Sequence, residues 1–422
     1  MTYLYNCTNM HKIKIKNFGP IKEGFLDKEG WMDINKVTVF IGNQGSGKST
    51  VAKLIATFMW LEKALIRGDI DAHVMTFSNF IELLRFHRIE NYFSPSTTLE
   101  YIGAVYTIHC TNEIILINKH HHTFVEQPKI MYVPAERNFL SAIPNINKVS
   151  NLIIGSLQYY AVEYRNAQLT QEGKPLLLPI NNTQVIYDPT IDETFIEFNE
   201  GKRLKLTEAS SGFHSLVPLV WVTQYLLNFL KQGDENLLKL LSPDHTIRRN
   251  KELNTLSLGI ALDNYDEKVI REKEKQINGK YIAKHLINIV EEPEQNLFPS
   301  SQRLLLNQLL AYNSGNNQLI MTTHSPYLVN YLTLAIEANK LKEKMLDSSV
   351  ELRNRLYDIV PLDATLAADD LIIYQLDETT GTITKLKTYN GLPSDENYLN
   401  DGLAETNELF SKLLALEDEL CL

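Results

Sequence analysis

The chain has 422 residues, of which 44% are hydrophobic and 22% are charged, and its formal net charge is −10. A chain of this length and composition can bury a sizeable core, which excludes a disordered or fibrous protein. The acidic balance excludes an overall basic field that would hold DNA non-specifically, so any nucleic-acid contact needs a local basic patch or a partner.

Cysteine usage and apolar stretches indicate the compartment. Cys7, Cys110 and Cys421 lie far apart and form no C-x-x-C pair, which favours a reducing compartment over a disulfide framework or a zinc site. The N-terminal residues contain no apolar signal-peptide core. Residues 216–230 form the longest apolar stretch, about 15 residues against the ~20 that cross a bilayer. We expect a cytoplasmic protein with no membrane partner.

The predicted elements alternate between strands and helices along the chain. Apolar or alternating runs predict strands at residues 13–18, 36–41, 107–110, 113–118, 183–206 (an antiparallel set), 286–290 and 319–322. Helical spacing predicts helices at residues 49–64, 77–86, much of 140–180, a hydrophobic run from Gly212 and a C-terminal amphipathic helix with Leu409, Leu413, Leu416 and Leu420 on one face. That last face either packs in the core or forms an oligomer contact.

A charge-rich segment at residues 233–280 interrupts this alternation. It contains Arg248, Arg249 and Lys251, followed by alternating charges at residues 271–275. We interpret it as a solvated helical insertion. The alternative is an arm that contacts DNA or a partner.

A glycine-rich turn between a predicted buried strand and a predicted helix fits the pattern G-x-x-x-x-G-K-[ST] in full. The residues of this P-loop are Gly42, Asn43, Gln44, Gly45, Ser46, Gly47, Lys48 and Ser49, followed by Thr50. The glycines let the backbone N–H groups turn towards phosphate oxygens, and the helix adds its positive N-terminal end. We expect Lys48 to reach the β- and γ-phosphates of ATP and the Ser49 hydroxyl to bind Mg²⁺. The P-loop alone does not choose among kinases, GTPases, motor ATPases and ABC ATPases.

A second apolar strand, at residues 286–290, ends in two carboxylates. Glu291 is placed to hold Mg²⁺, and Glu292 is placed to act as the general base that orients the attacking water. Adjacent carboxylates repel each other, and we expect Mg²⁺ and Lys48 to offset that repulsion. A solvated strand end is the simpler interpretation, but the P-loop upstream favours a catalytic pair.

Five segments together resemble bacterial ABC-type ATPases, a group that includes the ATPase halves of OLD-family nucleases and the ATPases of Septu- and PARIS-type phage-defence systems. Residues 289–299 resemble the Walker B and D-loop pattern I-D-E-P-E-x-x-L-H-P, and residues 322–326 the H-loop T-T-H-S-P. Residues 209–214 resemble the signature related to L-S-G-G-Q, residues 132–138 a P-A-E-R segment, and residues 15–21 the opening strand. The matches run in the order of the family.

The resemblance implies an α/β fold: a P-loop NTPase of ABC type, with a mixed parallel core sheet, an antiparallel β subdomain and a helical lid or insertion. We expect one domain over residues 1–422. Its subregions are a P-loop lobe at 1–135, a helical signature lobe with the charged insertion at 136–280, a Walker B and H-loop core at 281–345, and a C-terminal subdomain at 346–422.

The resemblance also assigns roles at the site. It implies that His324 contacts the γ-phosphate, although a core histidine at a strand end is the alternative. It implies that Ser210, Ser211 and Gly212 cap the γ-phosphate bound by a partner subunit, so that two ATP molecules lie between two chains. Small residues before an apolar helix leave its N-terminal N–H groups available to an anion, and a plain N-cap is the alternative. No role follows for Glu136 or Arg137.

The chain departs from the family pattern in three places. Phe298 replaces the usual histidine, Glu291 replaces aspartate and is one methylene longer, and Phe213 with His214 replaces a polar pair. We therefore expect turnover that is slow or conditional on a partner.

These motifs predict an enzyme that converts ATP and water to ADP and phosphate, with ATP and Mg²⁺ as ligands. We expect a homodimer or higher homo-oligomer that acts as a switch or sensor in anti-phage defence. Only 98 residues follow His324, too few for a full nuclease domain, so we expect any effector to be a separate protein. The family resemblance implies that this effector is an HNH or Toprim-like nuclease. The alternatives are a DNA-repair ATPase of the RecF or SMC type that binds DNA directly, a nucleotide-stabilised scaffold, and, least favoured, a transporter subunit.

Overall fold

The fold centres on a seven-stranded mixed sheet, seen in a computed structural model that describes residues 11–120, 125–143, 154–171, 173–263, 266–345 and 348–420. The strands are β1 (His11–Lys16), β2 (Gly24–Phe25), β3 (Met32–Ile34), β4 (Val37–Gly42), β5 (Thr98–Ile102), β6 (Tyr106–Thr111), β7 (Ile114–Lys119), β8 (Gln127–Val133), β9 (Leu176–Leu177), β10 (Gln184–Asp188), β11 (Glu193–Glu197), β12 (Arg203–Lys205), β13 (Ala283–Glu291), β14 (Gln318–Thr323), β15 (Leu371–Leu376), β16 (Thr382–Lys385), β17 (Thr388–Tyr389) and β18 (Leu392–Pro393). The α-helices are α1 (Lys48–Arg67), α2 (Phe77–Phe86), α3 (Asn138–Ala142), α4 (Ser156–Thr170), α5 (Ser211–Leu230), α6 (Asp234–Lys239), α7 (Pro243–Asp263), α8 (Glu267–Tyr281), α9 (Pro299–Tyr312), α10 (Pro326–Lys344), α11 (Val350–Ile359) and α12 (Tyr398–Leu420).

The seven-stranded sheet has the order β2-β16-β15-β4-β14-β13-β8. Neighbouring strands from β15 to β8 are parallel, whereas β16 pairs antiparallel with β15. Glu291 lies opposite Thr322, and Thr323 lies opposite Ile41. The carboxyl ends of β4, β14 and β13 therefore meet at one edge, where ligands of open α/β sheets bind.

The central sheet separates two hydrophobic cores. All six residues of β4 are buried, as expected for a parallel strand covered on both faces. Val37 and Val39 contribute to the core that contains α5, α9 and α10, and Phe40 contributes to the core that contains α1. Successive side chains of β4 thus point alternately into the two cores, which fixes the register of the strand and positions the turn that follows it.

Two antiparallel sheets flank the central one, as the sequence predicted. The first has the order β3-β1-β5-β6-β7 and the second β12-β11-β10-β9. The first is attached to α1 by the buried carboxylate of Glu62, which accepts hydrogen bonds from the Tyr101 hydroxyl (3.0 Å), the Val105 amide (2.7 Å) and the Tyr106 amide (3.1 Å). The fold is thus α/β with a mixed sheet and antiparallel sheets. The predicted subregion boundaries stay a prediction.

Helix α5 is longer than the apolar stretch found in the sequence. By length and composition it is the one described helix that could cross a membrane. Val217 and Trp221 are nevertheless fully buried, within the core that also holds α9 and α10. The apolar character of α5 is accounted for by this packing.

Helices α7 and α8 form the predicted charged insertion and dock on the C-terminal end of α1. The Arg248 guanidinium donates to the Gly68 carbonyl and lies 3.3 Å from the Asp69 carboxylate, and His245 lies 3.1 Å from the same carboxylate. Arg249 donates to the Asn278 side chain at 2.6 Å. Two arginines of the predicted basic stripe are therefore engaged within the chain.

Helix α12 leaves its apolar side chains in solvent. Leu409, Leu413 and Leu416 are 51%, 62% and 56% exposed, and Phe410 is 61% exposed. The Leu420 side chain lies outside the described residues. The described leucines do not pack in the core of the chain, so that interpretation of the predicted face was wrong for them.

Candidate nucleotide site

The P-loop links β4 to α1 through backbone conformations that favour glycine. Gly42, Gly45 and Gly47 have φ angles of 146°, 78° and 99°. A Cβ atom at Gly42 would lie 2.3 Å from the Leu376 carbonyl oxygen, so the position is closed to larger residues by contact as well as by conformation. The Ser46 hydroxyl is buried without a hydrogen-bond partner among the described residues. The loop thus has the tight curvature that a phosphate cradle requires.

Lys48 is the first residue of α1 and its ammonium is turned towards the loop. It donates to the carbonyl oxygens of Gly42 (2.8 Å) and Asn43 (2.7 Å). Burial lowers the pKa of Lys48 to about 8, and the nearby carboxylates, Glu292 first among them, oppose this shift. The site therefore contains a partly desolvated cation beside the N-terminal end of a helix.

The outer side of the P-loop faces solvent. Asn43, Gln44 and Gly45 are exposed, and the Asn43 amide donates to the Glu378 carboxylate at 2.7 Å. Glu378 follows β15, whose end lies beside Gly42 in the sheet. The sequence did not indicate Glu378, because its proximity arises from strand pairing across more than 300 residues.

Glu291 and Ser49 provide oxygen ligands of the kind that Mg²⁺ prefers. Glu291 is 3% exposed, and its Oε2 accepts a hydrogen bond from the Ala135 amide at 3.2 Å. Its Oε1 is buried with no hydrogen-bond partner among the described residues. The Tyr132 phenol lies near the same carboxylate, but its hydroxyl makes no hydrogen bond among the described residues. Burial is the main cause that raises the pKa of Tyr132, and the negative charge of Glu291 acts in the same direction. The unpartnered Oε1 fits a metal ligand.

The protein ligands available for a metal are few. Ser49 is partly buried, Thr50 is 5% exposed, and the Ser49 hydroxyl makes no hydrogen bond within the described residues. No group of three or more His, Cys, Asp or Glu side chains is arranged to hold a metal ion in that part of the chain. Mg²⁺ bound here would take its remaining ligands from phosphate and water oxygens, as Mg²⁺ commonly does.

Glu292 occupies a backbone conformation that is rare for its residue type. Its φ angle is 42°. Its amide donates to the Thr322 carbonyl at 2.9 Å, and its carbonyl accepts a hydrogen bond from Arg137 at 2.6 Å. Its carboxylate lies 3.5 Å from Nε2 of His324. The Glu292 carboxylate thus faces His324, whereas the Glu291 carboxylate accepts a hydrogen bond from the Ala135 amide.

The charge state of Glu292 follows from its neighbours. The His324 side chain is the largest influence and lowers the pKa of Glu292, and the charges of Lys48 and Arg137 act in the same direction. Partial burial opposes them, but the net shift is downward. Glu292 is therefore ionised at neutral pH, as a general base must be.

His324 follows the end of β14 and is held there by Glu294. The Glu294 carboxylate accepts hydrogen bonds from the His324 amide (2.7 Å) and the Thr323 hydroxyl (2.8 Å). Burial raises the pKa of Glu294. The His324 ring is 30% exposed and faces Glu292, so it is not the fully buried core histidine that was the alternative.

The predicted signature residues lie at an open helix end. Ser210 is the N-cap of α5 but makes no side-chain capping bond, and Ser210 and Ser211 are exposed. A Cβ atom at Gly212 would lie 2.9 Å from the Asn296 carbonyl oxygen. Within the described residues, no hydrogen bond joins these three residues to the P-loop. The structure therefore does not bring them into the P-loop site of the same chain.

Arg137, in the P-A-E-R segment, lies fully buried behind the two carboxylates. Its guanidinium donates to the carbonyl oxygens of Glu291 (2.6 Å), Glu292 (2.6 Å), Ser215 (3.0 Å) and Pro134 (3.2 Å). Burial lowers the pKa of Arg137. The sequence assigned it no role, because nothing local marks an arginine as buried.

A family model supports the ATPase interpretation over part of the chain. The model of an AAA ATPase domain, AAA_15, matches residues 263–329. This segment includes Glu291, Glu292 and His324 but not the P-loop. No curated protein matches the sequence significantly.

Solved structures that resemble the chain include heads of SMC proteins and ATP-binding cassettes. An SMC head domain from Thermotoga maritima has 11% identity and a TM-score of 0.36, and the match covers 90% of this chain and 99% of that chain. An Smc head from Pyrococcus furiosus, bound to the C-terminal domain of ScpA, has 10% identity, a TM-score of 0.37, and coverage of 95% and 98%. A nucleotide-free ATP-binding cassette of an ABC transporter has 11% identity, a TM-score of 0.28, and coverage of 91% and 93%. At these values no activity is transferred from them.

The P-loop geometry and the matched segment together define the class of protein. A strand, a phosphate-type loop and a helix lie beside a strand that ends in paired carboxylates, and residues 263–329 match an AAA ATPase domain. These observations support a P-loop ATPase domain.

Proposed function

We propose that the protein binds and hydrolyses Mg-ATP as an ABC-type ATPase, and that it acts as a dimer-based switch controlling a separate effector. The observation that carries the proposal is the convergence of Lys48, Glu291, Glu292 and His324 at one edge of the central sheet. Glu292 is ionised and 3.5 Å from His324, next to a cation that belongs to a phosphate-type loop.

Each residue has a task in the hydrolysis of the γ-phosphate. The P-loop amides and Lys48 hold the β- and γ-phosphates, and Glu292 accepts a proton from the attacking water. His324, beside Glu292, donates towards the γ-phosphate oxygens. Ser49 and Glu291 would hold Mg²⁺, which neutralises charge on the phosphate oxygens. The products are ADP and phosphate.

The exposed N-terminus of α5 supports a site shared between two chains. Ser210 and Ser211 leave N–H groups free at a helix end, which is a ready anion site, and among the described residues no hydrogen bond joins them to the P-loop of the same chain. Phe298, in the loop region after Glu292, is 75% exposed and adds apolar surface near this end. A head-to-tail homodimer would cover both features.

The effector and the biological setting rest on the family resemblance alone. We propose a cytoplasmic anti-phage system in which the effector is a separate HNH or Toprim-like nuclease. Direct DNA binding is the second candidate, but Arg248 and Arg249 are engaged within the chain and give it little support. A nucleotide-stabilised scaffold is the third.

The direct test measures phosphate release and molecular mass together, with Mg-ATP and with Mg-ADP. We expect turnover of ATP and a shift towards a dimer that ATP supports and ADP does not. If the protein forms an ATP-dependent oligomer but releases no phosphate, the scaffold becomes the better account. If ATP does not bind, the whole proposal fails.

The pKa of Lys48 predicts a pH dependence of ATP binding. Below pH 8 the ammonium of the free protein is charged and ready to bind phosphate. Above pH 8 it must first take up a proton, so ATP affinity falls by up to about tenfold per pH unit. Titration calorimetry between pH 7 and 9.5, in buffers of different ionisation enthalpy, should show this proton uptake. A flat affinity in the wild type would contradict it.

A charge reversal at the start of α5 tests whether the signature acts on the partner. In Ser211→Glu the new carboxylate lies at a helix N-terminus, where it is compatible with folding but occupies the place of the partner's phosphate. We expect ATP binding to remain within about twofold while ATP-dependent dimerisation is lost, as measured by light scattering. Ser211→Ala is the matched control. Equal dimerisation by Ser211→Glu and the control would contradict a shared site.

A further inference from the structure

Arg137 connects the strand end that carries Glu292 to the helix that begins at Ser211. Its Nη1 and Nη2 donate to the carbonyl oxygens of Glu291 and Glu292, and its Nε donates to the carbonyl of Ser215 in the first turns of α5. A guanidinium is a rigid planar fork, so these donors fix two separate elements relative to one another. All of these hydrogen bonds go to main-chain oxygens, so Arg137 acts on backbone positions.

The loop after Glu292 also packs on the same turns of α5. The Asn296 side chain donates to the Ser215 hydroxyl at 3.1 Å. The Asn296 carbonyl is so close to Gly212 that a Cβ atom there would lie 2.9 Å from it. Residues 291–296 and the start of α5 are therefore in direct contact as well as joined through Arg137, and displacement of one displaces the other.

The backbone of Glu292 is suited to respond to such a displacement. Its φ angle of 42° is sparsely populated by non-glycine residues and persists only where neighbouring groups impose it. Those groups are Thr322 at the amide and Arg137 at the carbonyl. A shift of Arg137 therefore changes where the Glu292 carboxylate lies.

We propose that Arg137 is a positioning residue that couples the two nucleotide sites of the dimer. The start of α5 engages the nucleotide held by the partner. Movement of that helix shifts Arg137, and Arg137 in turn shifts the backbone of Glu292 in its own chain. This inference rests on the proposed function, because it requires two ATP molecules shared between two chains. Its consequence is that ATP at one site promotes hydrolysis at the other, so the rate depends cooperatively on ATP.

The test compares Arg137→Lys with the wild type in steady-state hydrolysis. Lysine keeps the charge but cannot reproduce the four hydrogen bonds that the planar guanidinium donates to carbonyl oxygens. We expect a Hill coefficient above 1 for the wild type that falls to about 1 in the variant, and a kcat at least about fivefold lower, in the range of typical coupling. ATP binding at low occupancy should stay within about twofold. A merely structural role would lower the melting temperature and the active fraction without changing the Hill coefficient.

A second variant and a control keep the test decisive if Arg137→Lys does not fold. Asn296→Gly removes the contact with the Ser215 hydroxyl but tolerates the φ angle of 59° at that position, and it should also lower the Hill coefficient. Arg165→Lys, at a half-buried arginine paired with Asp192 (2.8 Å), should leave it unchanged.

The outcomes separate this inference from the proposed function. A wild type that hydrolyses ATP with a Hill coefficient of 1 overturns the coupling and leaves the ATPase standing. Folded Arg137→Lys or Asn296→Gly proteins with wild-type cooperativity overturn it as well. A wild type without hydrolysis overturns both.

Discussion

Glu292→Gln lowers kcat for ATP hydrolysis by about 10²–10⁴-fold while ATP still binds, the range over which a general base contributes. The amide fills nearly the same space and can still reach His324, but it cannot take a proton from water. Loss of the negative charge also relieves repulsion of the phosphates. We therefore expect the variant to accumulate as an ATP-bound dimer, visible by light scattering after addition of Mg-ATP.

Glu235→Gln is the matched control for this prediction. Glu235 is an exposed glutamate in α6, and the same change there should leave both kcat and mass unchanged. Turnover by Glu292→Gln within about threefold of the wild type would remove Glu292 from the role of base. A slow variant that does not dimerise would leave the base in place but contradict the shared site.

Lys48→Met weakens ATP binding by roughly 10- to 100-fold, since hydrogen bonds to a charged group contribute about 1.5–3 kcal/mol each. Methionine keeps the unbranched apolar stem but removes the ammonium. Because burial disfavours the charge of Lys48 in the free protein, the variant should melt at the same temperature as the wild type or higher when no nucleotide is present. The stabilisation by ATP should fall accordingly in the same thermal scan.

Lys53→Met, at a lysine about one and a half turns further along α1, controls for loss of a lysine from this helix. We expect it to keep the ATP-dependent rise in melting temperature. If Lys48→Met keeps that rise too, the P-loop lysine does not bind the triphosphate. If Lys48→Met is strongly destabilised without nucleotide, the hydrogen bonds to Gly42 and Asn43 are structural.

Local pattern was enough to predict three strands of the central sheet, β4, β13 and β14, and the helix after the P-loop. The predicted strand at 36–41 is β4, and the predicted helix at 77–86 is α2. These segments have a clear period, and the glycines that separate them have positive φ angles, so each local preference agrees with the final fold. The predicted roles of the site residues stay predictions.

What the sequence could not predict depends on contacts between distant segments. Glu378 reaches the P-loop only because β15 pairs with β4, and Glu294 holds His324 only because β13 and β14 are neighbours. Arg137 is buried between the end of β13 and the start of α5, both far from it in sequence. Side-chain patterns within one segment contain no information on such pairings.

The helix predicted from Gly212 is α5, which begins one residue earlier, although its apolar stretch is shorter than the helix. Its apolar run in sequence is about 15 residues, but the helix has 20 and begins with the polar Ser211. Helix ends are set by capping and by what packs beside them, so hydropathy alone underestimates their extent.

The strained backbone at Glu292 has a consequence for how this protein tolerates change. Glycine adopts a φ angle of 42° without penalty, whereas glutamate there costs on the order of 1–3 kcal/mol. A screen for thermostable variants would therefore select Glu292→Gly. The selected variants would have a higher melting temperature but would not hydrolyse ATP. Thermal stability and ATP turnover favour different residues at position 292, so a stability screen of this protein must also measure activity.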